Sequence, residues 1–133
     1  MDSAGMTLHI SRMYPKYYDF VRNLRMNTEV AGFFLEEANI TEEDQKKYMD
    51  KHGRNYYVCL SYGIPVAYAG VVDQDIRVCT DPTFQGKGAA KFLLTFLKKM
   101  YPKATGRIKE DNIPSQRLFD KCNVPYVIID ENN

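Results

Sequence analysis

The chain has 133 residues, with 18 Lys and Arg against 17 Asp and Glu and a formal net charge of +1. That length supports one hydrophobic core and not two, so a single domain over residues 1–133 is expected. The near balance of charge excludes a broad basic face for nucleic acid or an anionic membrane surface, and no apolar run approaches the ~20 residues of a membrane span. No charged-then-apolar leader is apparent. Residues 1–5 precede a second methionine, Met6, and are set aside as a candidate expression scar. Cys59, Cys79 and Cys122 are widely spaced without a Cys-x-x-Cys pair, which fits reduced, buried thiols in a cytoplasmic protein. With only His9 and His52 available, no zinc site is expected.

In chain order, residues 7–13 alternate apolar and polar side chains through Leu8 and Ile10 and form a first strand. Pro15 suits a first helical turn. Tyr14, Tyr17, Tyr18, Val21 and Leu24 then recur at helical steps until about Asn27, and residues 29–35, with Phe33 and Phe34, form a short helix or turn. Thr41 caps a helix with acids in its first turn, running to about Lys51, where Gly53 ends it in the left-handed conformation. Residues 56–62 and 66–72 form a hairpin turned at Gly63-Ile64-Pro65. A turn at Asp73-Gln74-Asp75 leads to a strand over 76–80.

The segment Asp81-Pro82-Thr83-Phe84-Gln85-Gly86-Lys87-Gly88-Ala89-Ala90 then runs straight into a helix. A helix N-terminus presents unpaired N–H groups and the positive end of the macrodipole. Gly86 and Gly88 allow the backbone to curl closely around a phosphate, and Lys87 adds charge at the rim. Neither Gly-x-Gly-x-x-Gly nor Gly-Lys-Ser/Thr is present, which argues against a dinucleotide fold or a nucleotide triphosphatase. The helix carries an apolar stripe of Ala90, Leu93, Leu94, Leu97 and Tyr101, with Lys91, Thr95, Lys98 and Lys99 outward. Pro102 stops it. A strand over 105–108, a helix capped by Asn112 with Pro114 in its first turn, and a strand over 124–129 complete an α+β order with a mixed sheet.

Gln85, Gly88 and Ala90 fill the pattern Gln/Arg-x-x-Gly-x-Gly/Ala, with a proline three residues earlier. On these residues and the order of elements, the chain resembles the GNAT family of N-acetyltransferases over residues 7–129, most sharply over 64–122. The resemblance implies the acyl-CoA N-acyltransferase fold, a mixed and mostly antiparallel sheet with helices on both faces. It also implies acetyl-coenzyme A as cosubstrate. By that resemblance the strands over 76–80 and 105–108 splay to admit the thioester arm. The backbones of Val78, Cys79 and Thr80 would pair with the pantetheine, and Gln85, Gly86, Lys87, Gly88, Ala89 and Ala90 would hold the pyrophosphate. Asn112-Ile113-Pro114-Ser115-x-x-Leu118-Phe119 is similar to the family's Asn-x-x-Ser/Ala-x-x-Leu-Tyr segment. That similarity sets Asn112 and Ser115 beside the arm and Phe119 along the thioester channel.

Phe119 stands where the family has its proton-donating tyrosine, and Gln74 aligns with the usual glutamate base. Tyr126 is the substitute acid, and Asp73 or Asp75 the base, directly or through water. The resemblance further implies a small-molecule primary amine as acceptor and allows a homodimer. Arg22, Asn23, Arg25, Phe33, Phe34, Tyr56 and Tyr57 are candidates for the acceptor wall, and the Arg-Asn pair is similar to the branch that acetylates nucleotide-linked amino sugars. The two departures also fit a coenzyme-binding module with little or no turnover, and a protein or peptide acetyltransferase is the third reading.

Overall fold

The computed structural model describes residues 7–27 and 40–130. Among these residues six strands form one sheet in chain order: β1 (Leu8–Arg12), β2 (Tyr56–Ser61), β3 (Ile64–Val72), β4 (Asp75–Thr80), β5 (Thr105–Lys109) and β6 (Tyr126–Ile129). The first three pairings are antiparallel and the last two parallel. Among the described residues, four α-helices cover it: α1 (Tyr18–Arg25), α2 (Glu42–His52), α3 (Ala89–Met100) and α4 (Ile113–Lys121). This is the mixed, mostly antiparallel sheet with helices on both faces that the sequence predicts. The short segment expected over 29–35 lies outside the described residues.

Strand periodicity divides the core in two. Tyr57, Cys59, Ala67, Ala69 and Ile76 point to one face and pack under Leu93, Leu94 and Leu97 of α3 and Phe119 of α4. Tyr56, Tyr68, Val72 and Cys79 point to the other and meet Val21 and Leu24 of α1 and Met49 of α2. On α3 the buried alanine is Ala89, not Ala90, because the helix starts at Ala89 and its inward stripe continues through Leu93 and Leu97.

Three local expectations need correction. Gly53 has φ −58° and leads into a 3-10 turn over Gly53–Asn55, so α2 ends without a left-handed residue. The β2–β3 turn falls on Tyr62 (φ +52°) and Gly63 (φ +79°), so β3 already begins at Ile64. Paired positive φ values are what a tight two-residue hairpin with right-handed twist requires. The β3–β4 turn likewise uses Asp73 (φ +54°) and Gln74 (φ +64°), which leaves Asp75 inside β4.

Candidate active site

The sheet opens between β4 and β5. These parallel strands pair only at Asp75 with Thr105 and Ile76 with Gly106. Beyond that point β4 stays on β3 as far as Thr80, while β5 follows β6 as far as Lys109. The C-terminal halves of two neighbouring strands therefore diverge and leave a notch. Packing beside the notch depends on Gly106, where a Cβ would lie 2.5 Å from the Phe119 ring. A bare backbone there lets the phenyl pack directly against β5.

Two cavities meet at the notch. The larger, about 660 Å³, is lined by Val78, Cys79 and Thr80 of β4, by Gln85, Gly86, Gly88, Ala89, Ala90 and Lys91, and by Asn112, Ser115 and Leu118. Its loop end is built for an anion. Gly86 and Gly88 hold φ at +79° and +91°, and a Cβ on either would meet nothing within 4 Å. The first bond into α3 runs from the Phe92 N–H to the Gly88 carbonyl at 3.0 Å. The amides of Ala89, Ala90 and Lys91 thus precede it in the cleft wall. No side chain caps this helix, whereas Thr41 accepts from the Asp44 amide and Asn112 from the Ser115 amide. An uncapped helix start facing open space fits a diphosphate without rearrangement.

The smaller cavity, about 120 Å³, lies between the sheet and α1 and α2. Its wall includes Val21, Arg25, Gln45, Tyr48, Met49, Tyr56, Tyr68, Asp75, Arg77, Arg107 and Phe119. Val78, Asn112 and Ser115 belong to both walls. A connected polar network crosses it. The Tyr56 and Tyr48 hydroxyls are 2.7 Å apart, and Arg77 Nη1 donates to Tyr48 Oη at 3.2 Å. Asp75 Oδ2 takes Arg77 Nε at 3.5 Å and Arg107 Nη2 at 3.0 Å. Burial, followed by the bond to Tyr48, raises the Tyr56 phenol above its ordinary range. Burial also raises the Tyr68 phenol well above its ordinary range and pushes the Cys79 thiol up to about 12. Near neutral pH these groups keep their protons, so the phenols can donate.

The coenzyme residues expected from the sequence gather in the larger groove, except two. Lys87 stays at the exposed rim, outside the lining, and Phe119, buried, faces the smaller cavity. Of the three catalytic candidates, Asp75 lines the smaller cavity. Asp73 sits exposed in the β3–β4 turn, in neither wall. Tyr126 also lies in neither wall; its hydroxyl donates to Asp120 at 3.1 Å, and its ring meets Phe119 edge-on. Among the expected acceptor residues, Arg25 and Tyr56 line the smaller cavity. Tyr57 points to the opposite core, Arg22 bonds the Ile40 carbonyl at 2.8 Å and Asn23 is exposed. Phe33 and Phe34 lie outside the described residues.

Sequence reasoning missed Tyr48, Tyr68, Arg77 and Arg107. Arg77 shares the face of Asp75 and Cys79 by strand alternation, a signal that was readable. Arg107 joins them only through the β4–β5 register.

The fold and the groove define an acyl-coenzyme A-dependent transferase. The model of the acetyltransferase (GNAT) family matches residues 18–124, and the chain belongs to that family. It is an acetyltransferase that uses acetyl-coenzyme A. Solved structures share the fold at low identity. A domain from Methanocaldococcus jannaschii DSM 2661 superposes with a TM-score of 0.76 at 17% identity, covering 89% of this chain and 88% of that one. Spermidine N-acetyltransferase from Vibrio cholerae, in complex with CoA and spermine, gives 0.74 at 15% identity, covering 86% and 79%. The yncA structure from Salmonella typhimurium, with its cofactor acetyl-CoA, gives 0.74 at 16%, covering 86% and 77%. Among curated protein sequences none matches. Among the described residues, no helix is long and apolar enough to cross a membrane.

Proposed function

We propose that this chain moves the acetyl group of acetyl-coenzyme A onto the primary amine of a small molecule held in the smaller cavity, with an amino sugar linked to a nucleotide as a candidate acceptor. One observation carries this reading: the groove with the anion-binding loop and the polar cavity share Val78, Asn112 and Ser115 at the β4–β5 notch. A thioester there faces both.

In this reading the amides of Gly86, Gly88, Ala89 and Ala90 hold the diphosphate, with Gln85 and Lys87 at the rim. The pantetheine arm lies along Val78, Cys79 and Thr80 as an added strand, beside Asn112 and Ser115. A backbone amide of β4 polarises the thioester carbonyl. Asp75, in the cavity wall, accepts the ammonium proton directly or through water; Asp73 is the more distant alternative. The freed amine attacks the carbonyl, the C–N bond forms and the C–S bond breaks; the nitrogen loses its surplus proton to water and the departing sulfur takes a proton. Tyr126 supplies that proton only if it turns from Asp120, whereas Tyr48, Tyr56 and Tyr68 already line the cavity.

Thiol release from acetyl-coenzyme A, followed across primary amines, amino sugars and peptides, tests the proposal. Turnover with a small amine and none with peptides is expected. Turnover confined to peptides, or coenzyme binding without thiol release from any acceptor, contradicts it.

A further inference from the structure

We infer that the acceptor is zwitterionic at its reacting end, carrying a carboxylate or phosphate close to the amine, and that Arg77 and Arg107 bind this oxyanion; the inference rests on the smaller cavity being the acceptor site. Among the described residues, the cavity wall carries three guanidiniums, Arg25, Arg77 and Arg107, against one carboxylate, Asp75. Arg77 and Arg107 converge on Asp75 Oδ2 from neighbouring strands. Side-chain exposure orders the three groups: 16% for Asp75, 33% for Arg77 and 45% for Arg107. The acid lies deepest and the two cations stand further out.

Guanidinium groups on adjacent strands, both paired with a shared carboxylate and Arg77 also bonded to the Tyr48 hydroxyl, present converging donors suited to an oxyanion. Among the described residues the remaining lining is aromatic, apolar, amide or, at Ser115, hydroxyl, so these four groups set its formal charge. An amine with a nearby oxyanion places its ammonium toward Asp75 and its anion toward the arginines. An extended polyamine would instead bring a second ammonium against the guanidiniums with, among the described residues, no second carboxylate in the wall to meet it, an arrangement that selects against it. The volume agrees. A cavity of about 120 Å³ has room for the amine and an anionic substituent beside it, with any larger remainder extending outward.

Thiol release is measured on matched pairs: phosphoethanolamine against ethanolamine, glucosamine 6-phosphate against glucosamine, and glycine against glycinamide, with spermidine as the polycation. At least one anionic member is expected to exceed its neutral partner by about tenfold or more in kcat/KM, a ratio equivalent to a full decade of binding. Arg107→Gln and Arg77→Gln should each narrow that ratio toward one. A preference led by the phosphate pairs identifies a phosphate, and one led by glycine a carboxylate; either upholds the inference. A preference for spermidine or for the neutral amines overturns it while leaving the transferase reading intact.

A second arm does not need turnover. With the groove saturated by coenzyme A, inorganic phosphate at constant ionic strength should raise the melting temperature, and Arg107→Gln should remove the rise. If phosphate stabilises in this way but no amine releases thiol, the transferase reading fails and the oxyanion site stands. If phosphate gives no rise in the saturated protein, the oxyanion site fails.

Discussion

Gly88 and Gly106 are both small for different reasons, and the difference can be tested. At Gly88 a Cβ would meet open space, but φ is +91°, which an L side chain adopts at a cost of roughly 1–2 kcal/mol. Gly88→Ala should therefore fold, melt a few degrees lower, and place a methyl group in the cleft wall at the proposed diphosphate site. Acetyl-coenzyme A affinity, read by calorimetric titration, should fall about tenfold or more, since a displaced charge-assisted contact is worth roughly 1.5–3 kcal/mol. Unchanged affinity would move the diphosphate elsewhere. Gly106 is a packing glycine; its added methyl would sit 2.5 Å from the Phe119 ring, so the same substitution there disturbs the core before it disturbs the coenzyme.

Among the helices, α2 links stability to the smaller cavity, the proposed acceptor site. Its Thr41 hydroxyl accepts from the Asp44 amide at 3.0 Å, and the helix delivers Gln45, Tyr48 and Met49 to the cavity wall. Thr41→Ala should cost about 1 kcal/mol and raise KM for the amine, with acetyl-coenzyme A affinity unaltered because no residue of α2 lines the larger groove. A matching loss of coenzyme affinity would break that separation. Caps of this kind were legible in the sequence because they depend on residues three apart: Thr41 with Asp44, and Asn112 with Ser115. The strands and the glycine loop were legible from local chemistry and from the family resemblance. The Asp75–Arg77–Arg107 cluster was not, because residues 75 and 107 meet only once β4 and β5 take their parallel register. Gly53 misled for a related reason. Its N–H still bonds the Met49 carbonyl, and a tighter turn carries the chain directly into β2, so no reversal of φ is needed.

Taken whole, the molecule buries neutral groups that would become anions at high pH. Burial raises the thiols of Cys59 and Cys79 from the usual 9.0 to about 11 and about 12, and lifts Tyr68 well above 10.0. The folded state holds these protons more tightly than the unfolded chain, so their contribution is intact below about pH 9 and is lost as pH rises toward 12. The melting temperature should fall progressively above about pH 9, and Cys79→Ala should flatten part of that fall. A melting temperature that rises across the same range would contradict the burial of these groups. At this scale the proposed function requires loop amides at the start of α3 to hold the diphosphate of acetyl-coenzyme A beside a cavity that holds the amine. Calorimetric titration of the chain with acetyl-coenzyme A and with acetyl-pantetheine, which lacks the diphosphate, tests this most directly. One site is expected for acetyl-coenzyme A, with acetyl-pantetheine weaker by about a hundredfold or more, equivalent to roughly 2.7 kcal/mol. Equal affinity for the two, or no binding of either, would contradict the account.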